Sequence, residues 1–130
     1  MKQNAIWVLP IMIVVGAFSM VGATAQDPDQ ALPEGVTQAM IDEGQTLFHG
    51  QALCSSCHGE NGAGTAIGPN LADDTWLHGD GSFSAILATI NDGVSEPQES
   101  MIPMLAKGGS GISDEQSAQV AAYVWRLSNQ

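Results

Sequence analysis

Five consecutive residues, Cys54-Ser55-Ser56-Cys57-His58, constrain this chain more than any other stretch. C-x-x-C-H is the attachment signature of a c-type haem. Its two thiols can form thioether bonds to the vinyl groups of one porphyrin, and the histidine that follows can place an imidazole nitrogen on the iron. A chain built on it folds around a covalent cofactor. Two rival uses of the same residues stay open: a redox dithiol would need Cys54 and Cys57 but not His58, and a zinc site could recruit His49 and His78. The βαβ context of a thioredoxin-like dithiol is not found in the sequence. The second well-spaced ligand pair of a structural zinc site is also missing.

The chain has 130 residues, room for one domain. Its first 25 residues read as an export signal: Lys2 supplies the positive start, Ile6 to Val15 is mostly apolar, and Ala23-Thr24-Ala25 offers small residues for cleavage before Gln26. The rival is an uncleaved membrane anchor, because the apolar stretch extends from Ala5 to Ala23 and nearly spans a bilayer. Either way the remainder is exported, to a periplasmic or similar compartment. There an oxidising environment would pair two lone cysteines unless another partner used them, and covalent haem is such a use. Haem also answers a size problem, since Trp76, Trp125 and Tyr123 are among the few large groups left to fill a small core.

Charge narrows the partners. After position 26 the chain carries 14 acidic residues against two basic ones, Lys107 and Arg126, a net of −12. Such a field opposes binding to nucleic acid or to an anionic membrane surface. It favours a redox protein with a basic docking patch. Solubility alone would equally account for it.

Pro- and Asp-containing residues 26–36 carry no apolar period and read as a flexible lead into a domain at 37–130. A first helix is expected from the N-cap Thr37 to about Gly50, with Met40, Leu47 and Phe48 on one face and Gly44 inside, unfavourable unless two helices cross closely there. Gly59 to Leu71 holds too many breakers for anything but a loop. A ligand histidine needs an acceptor for its second ring nitrogen, and the Pro69 carbonyl is the favoured candidate, with an ordinary Gly-Pro turn as the rival reading.

Asp73 to Leu77 is expected to form a short helical turn, with Trp76 either covering a cofactor edge or filling the core. Ser82 caps a helix striped with Phe83, Ile86, Leu87 and Ile90, assigned to core packing, and Gly93 ends it. Val94 to Ile112 reads as a long irregular loop, of the kind that tends to be functional. It carries two candidate iron ligands, Met101 and Met104. A last helix follows, opened by a Ser113/Gln116 capping box, with Val120, Ala121, Tyr123, Val124 and Leu127 buried and Arg126 in its last turn. The fold class is therefore all-α, three or four short helices around one haem.

CSSCHG, GPNL, MLAKGG and SDEQ…VAAYVWRLS, taken together over Met40 to Ser128, resemble a bacterial class I c-type cytochrome with a single haem. The resemblance implies that the first and last helices cross at Gly44, with Phe48 and Tyr123 beside it. It also implies that the Pro69 carbonyl accepts from His58. The family's usual Met-Pro at the sixth iron position is absent here. Met104-Leu105-Ala106-Lys107-Gly108-Gly109 aligns best with the M-P-P-K-G-G pattern, and Met101-Ile102-Pro103 resembles a less common variant. The expected cofactor set is Cys54, Cys57, His58 and Met104, the last two on iron.

Three functions are in play. A closed His/Met iron makes a one-electron carrier between respiratory or dehydrogenase partners, with no substrate site and hence no enzyme activity of its own. The same domain could be the haem-bearing subunit of a larger dehydrogenase complex. An open iron position would make a haem enzyme or gas sensor. The carrier is the leading expectation, as a monomer or as part of a complex, with membrane association only if the N-terminal segment is retained.

Overall fold

A computed structural model describes residues 30–130 of the chain. The expected export signal and residues 26–29 of the expected lead lie outside the described residues. Among the described residues, four α-helices and one 3-10 turn make up the regular structure: α1 Gln38–His49, α2 Ser55–His58, α3 Phe83–Asp92, the turn Ala106–Gly109, and α4 Asp114–Leu127. Among the described residues the only β pairing is a single antiparallel bridge, Val94 with Met104.

The three long helices begin where their caps predict. The Thr37 side chain accepts from the Met40 amide, and Ser82 accepts from Ala85. Ser113 and Gln116 close a reciprocal capping box at the start of α4. Each such cap is worth about 1 kcal/mol, because it satisfies amides that have no partner inside the helix.

α1 packs across α4, and α3 lies against both α4 and the 3-10 turn. Gly44 marks the α1–α4 crossing: a Cβ there would overlap the Gln119 carbonyl oxygen and stand 2.9 Å from Tyr123 Cβ. Glycine thus lets two backbones approach, which outweighs its helix penalty of about 1 kcal/mol. Beside it Phe48 and Tyr123 meet edge to face, with ring centres 5.3 Å apart. Phe48 is fully buried, a contribution of about 1.5–3 kcal/mol, in one core with Ile41, Leu47, Val120, Ala121 and Leu127.

The structure departs from the sequence reading in two places and adds to it in two others. Two residues of the expected lead are packed: Val36 is 7% exposed, Leu32 lies against the core, and the Val36 amide donates to the Pro33 carbonyl at 3.0 Å. Apolar residues spaced too irregularly to show a period can still be captured by a neighbouring helix pair. No helical turn forms at Asp73 to Leu77, because the Asp73 carboxylate takes the Thr75 amide at 3.0 Å and turns the chain locally instead. Cys54 to His58 is itself a helical turn. Arg126 occupies the last turn of α4 as expected, yet it is buried, and its Nε has no hydrogen-bond partner among the described residues.

Candidate functional site

Helical geometry explains why C-x-x-C-H works as a unit. Residues i, i+3 and i+4 share one face of a helix. The His58 amide donates to the Cys54 carbonyl at 2.9 Å and the Cys57 amide to the same oxygen at 3.1 Å, so Cys54, Cys57 and His58 lie on one side of α2. Neither cysteine is in a disulfide. Burial pushes the Cys54 thiol up to about 11, partly offset by a backbone hydrogen bond. That shift is opposite to the one that activates a redox dithiol.

His58 is half-buried, and its Nδ1–H donates to the Pro69 carbonyl at 2.9 Å. The bond fixes the tautomer and leaves Nε2 with a free lone pair. Burial pulls the imidazole pKa below its ordinary value, and the Pro69 hydrogen bond opposes this only in part. The ring is therefore neutral at neutral pH, the form a metal needs.

The loop that carries Pro69 is tied to the carbonyls at the end of α2, groups with no partner inside the helix. Gly64 N–H donates to the His58 carbonyl at 2.7 Å, and Thr65 Oγ1 donates to the Cys57 carbonyl at 2.6 Å. Gly68 permits the approach: a Cβ there would stand 2.6 Å from the Cys57 carbonyl oxygen and 3.2 Å from His58 Nδ1. The sequence-based choice between a ligand support and an ordinary turn at Gly68-Pro69 is thereby resolved toward support.

Cys54, Cys57 and His58 open onto a largely apolar cleft of about 320 Å³. Phe48, Ile86, Ile90, Val120 and Val124 are among its walls. Ile86 and Ile90 of the α3 stripe assigned to core packing thus also line the cleft, a role that periodicity could not separate from burial. Trp76 lines it too, half-buried, and its indole lies so close to Gly81 that any side chain there would collide with it.

Met104 lines this cleft and packs against the core. Its backbone pairs with Val94 in both directions, at 2.8 and 3.0 Å. Met101 is 97% exposed and takes no part in the cleft wall. Of the residues a zinc site would recruit, His78 reaches the cleft whereas His49 is engaged elsewhere. No metal-chelating group of three His, Cys, Asp or Glu side chains exists among the described residues. Two unpaired thiols and an imidazole with its outer nitrogen already fixed, all at an apolar slot, form a donor set that fits a covalently bound haem.

Comparison with known proteins agrees. The family model described as cytochrome c matches residues 41–128. The chain is 42% identical over 108 residues to a cbb3-type cytochrome c oxidase subunit FixPc of Rhizobium leguminosarum bv. viciae, covering 79% of this chain and 34% of that one. It is 33% identical over 114 residues to the subunit CcoP of Cereibacter sphaeroides, covering 83% and 36%. It therefore spans about a third of the length of these curated relatives. Among solved structures, cytochrome cL of Methylophaga aminisulfidivorans shares the fold, with a TM-score of 0.51 at 23% identity over 68% of this chain and 53% of that one. A signature turn with a supported histidine, an all-α frame around an apolar cleft and the family match lead to one conclusion: the chain belongs to the cytochrome c family and is a monohaem c-type cytochrome carrying one covalently bound haem c.

Proposed function

We propose that this protein is a one-electron carrier of an exported compartment, whose haem would be held covalently by Cys54 and Cys57, with His58 Nε2 and Met104 Sδ as the side-chain ligands of its iron. The observation that carries the ligand set is that Met104 and His58 line one cleft while Met101 points away, 97% exposed. Bound haem supplies reversible one-electron chemistry, with a potential raised by His/Met ligation. The chain's own residues do the rest. Pro69 holds the His58 ring in its ligating tautomer, and Ile86, Ile90, Val120 and Val124 keep water from the cleft. Ligation by both His58 and Met104 would leave no substrate site at the metal.

Visible and near-infrared spectra of the purified holoprotein test this directly. Met104→Ala is expected to abolish the thioether–iron band and open the iron to carbon monoxide and cyanide, whereas Met101→Ala leaves the spectrum unchanged. Ready ligand binding by the wild-type protein would defeat the carrier reading.

A second reading has its own support: relatives that match over a third of their length are named as oxidase subunits. On that reading this domain delivers electrons within a larger respiratory assembly. Gel filtration of material from the native host separates the two, as a free small protein or as a complex. Exposed Glu99, at the cleft, and the net charge of −12 after position 26 suit a partner with a basic docking patch. The rate of electron transfer to such a partner should fall as salt rises, and a flat salt profile removes the acidic-docking part. Among the described residues no helix is long and apolar enough to cross a membrane. Attachment to one, if present, falls to the N-terminal segment, read as a signal or an anchor.

A further inference from the structure

One histidine is left unused by the haem site. His49 ends α1, and both of its ring nitrogens face backbone carbonyl oxygens: Nδ1 stands 2.8 Å from that of Gln45, one turn back, and Nε2 stands 2.5 Å from that of Glu60, two residues past His58. A neutral imidazole has one N–H and one lone pair, so in either tautomer one nitrogen would set its lone pair against a carbonyl. Only the imidazolium satisfies both acceptors.

The surroundings suit a cation. Its position on the last turn of α1 places it at the negative end of the helix dipole. The Glu60 carboxylate lies 3.9 Å from Nε2. From α4, Tyr123 faces it as a neutral phenol with ring centres 6.1 Å apart, and from α1 itself Phe48 presents its ring at 5.3 Å. The side chain is 32% exposed, so protons have access.

We infer that His49 is a proton-operated clip between α1 and the loop that supports His58. Protonated, it bonds to both carbonyls and ties Glu60 to α1. Deprotonated, it must give up one of the two. The Glu60 end is the longer-range contact, and its release frees the start of the segment running to Pro69, the acceptor for His58. The clip stands on its own geometry; its consequence for the iron rests on the proposed ligation by His58.

The sign of the pH dependence follows. The Gln45 hydrogen bond raises the His49 pKa above 6.5, burial opposes it, and the Glu60 carbonyl and carboxylate add to the rise. A raised folded-state pKa contributes stability that is complete below 6.5 and lost as pH climbs through the raised value.

The test uses the holoprotein as wild type, His49→Gln and Glu60→Gln, with denaturant unfolding measured across the neutral to mildly alkaline range and the His49 ring titration followed by NMR. The wild-type folded-to-unfolded ratio is expected to fall by up to about tenfold per pH unit within the titration of His49. His49→Gln should be flat over that window, and Glu60→Gln, which keeps the carbonyl, should retain most of the dependence. A wild-type ring that titrates at or below the ordinary histidine value overturns the clip, and this reading needs no variant to fold. Parallel curves for wild type and His49→Gln overturn it as well. The reduction potential is the second arm: a pH dependence that follows the His49 titration and vanishes in His49→Gln supports transmission to His58. A potential insensitive to that titration overturns transmission but not the clip.

Discussion

Two loops frame the cleft, and they are held by different means. Gly59 to Leu71 is bound back to the signature helix: Gly64, Thr65 and Pro69 all bond to groups of Cys57 or His58. Val94 to Ile112 is secured by bonds within itself and to distant parts of the chain. Its Val94–Met104 bridge closes on itself, Ser100 Oγ donates to the Ile67 carbonyl at 3.0 Å, and Gln98 Nε2 donates to the Leu77 carbonyl at 2.6 Å. Lys107 Nζ then joins the Ile112 carbonyl and the Asp114 carboxylate. The first loop is specified by its distance along the chain from the helix it serves. The second acquires its shape only when other elements are already in place, and it leaves Met101, Ile102 and Leu105 exposed.

Glycine-to-alanine changes break each loop at one point. The largest effect is expected at Gly93, which has φ +72° and where a Cβ would collide with the Met104 carbonyl oxygen and stand 2.7 Å from the Ala106 amide nitrogen. Backbone strain and overpacking together should make Gly93→Ala cost about 2–5 kcal/mol in denaturant unfolding. Because the displaced group is Met104, the proposed iron ligand, the near-infrared thioether band should weaken in parallel. Gly68→Ala comes next, at about 1–3 kcal/mol, from the clash with the Cys57 carbonyl. Here the His58 ring should be disturbed and the thioether band kept longest. Interchanged spectroscopic effects would undo the division between the two loops.

The smallest effect is expected at Lys107. Its ammonium holds the Asp114 carboxyl below the ordinary carboxylate range, by a hydrogen bond first and by charge second. A lowered folded-state pKa contributes stability that is present above the ordinary carboxyl value and lost as pH falls through the lowered one. Lys107→Met should remove that acid dependence and change little at neutral pH, since exposed ion pairs are weak. A large loss at neutral pH would mean that the bond to the Ile112 carbonyl, rather than the ion pair, holds the second loop.

Helix starts, the Gly44 crossing and the histidine support were legible in the sequence because each depends on neighbours within a few turns or on one residue type with one physical use. Thr37, Ser82 and Ser113 cap the helices that follow them. Less legible was anything decided by what packs on top. Trp76 lies in irregular chain where a helical turn was expected, since the Asp73 carboxylate competes for the Thr75 amide. Leu32 and Val36 join the core although their stretch has no period. Ile86 and Ile90 serve the core and the cleft at once.

By itself the sequence determined the cofactor and the chemistry of its near side. A helical turn brings Cys54, Cys57 and His58 to one face wherever the turn is placed, because that geometry is local. Which methionine reaches the cleft was a matter for the tertiary structure. Met101 and Met104 have the same side chain on the same loop, and only the pairing of Met104 with Val94, at the end of a helix packed on α4, turns one inward and leaves the other in water.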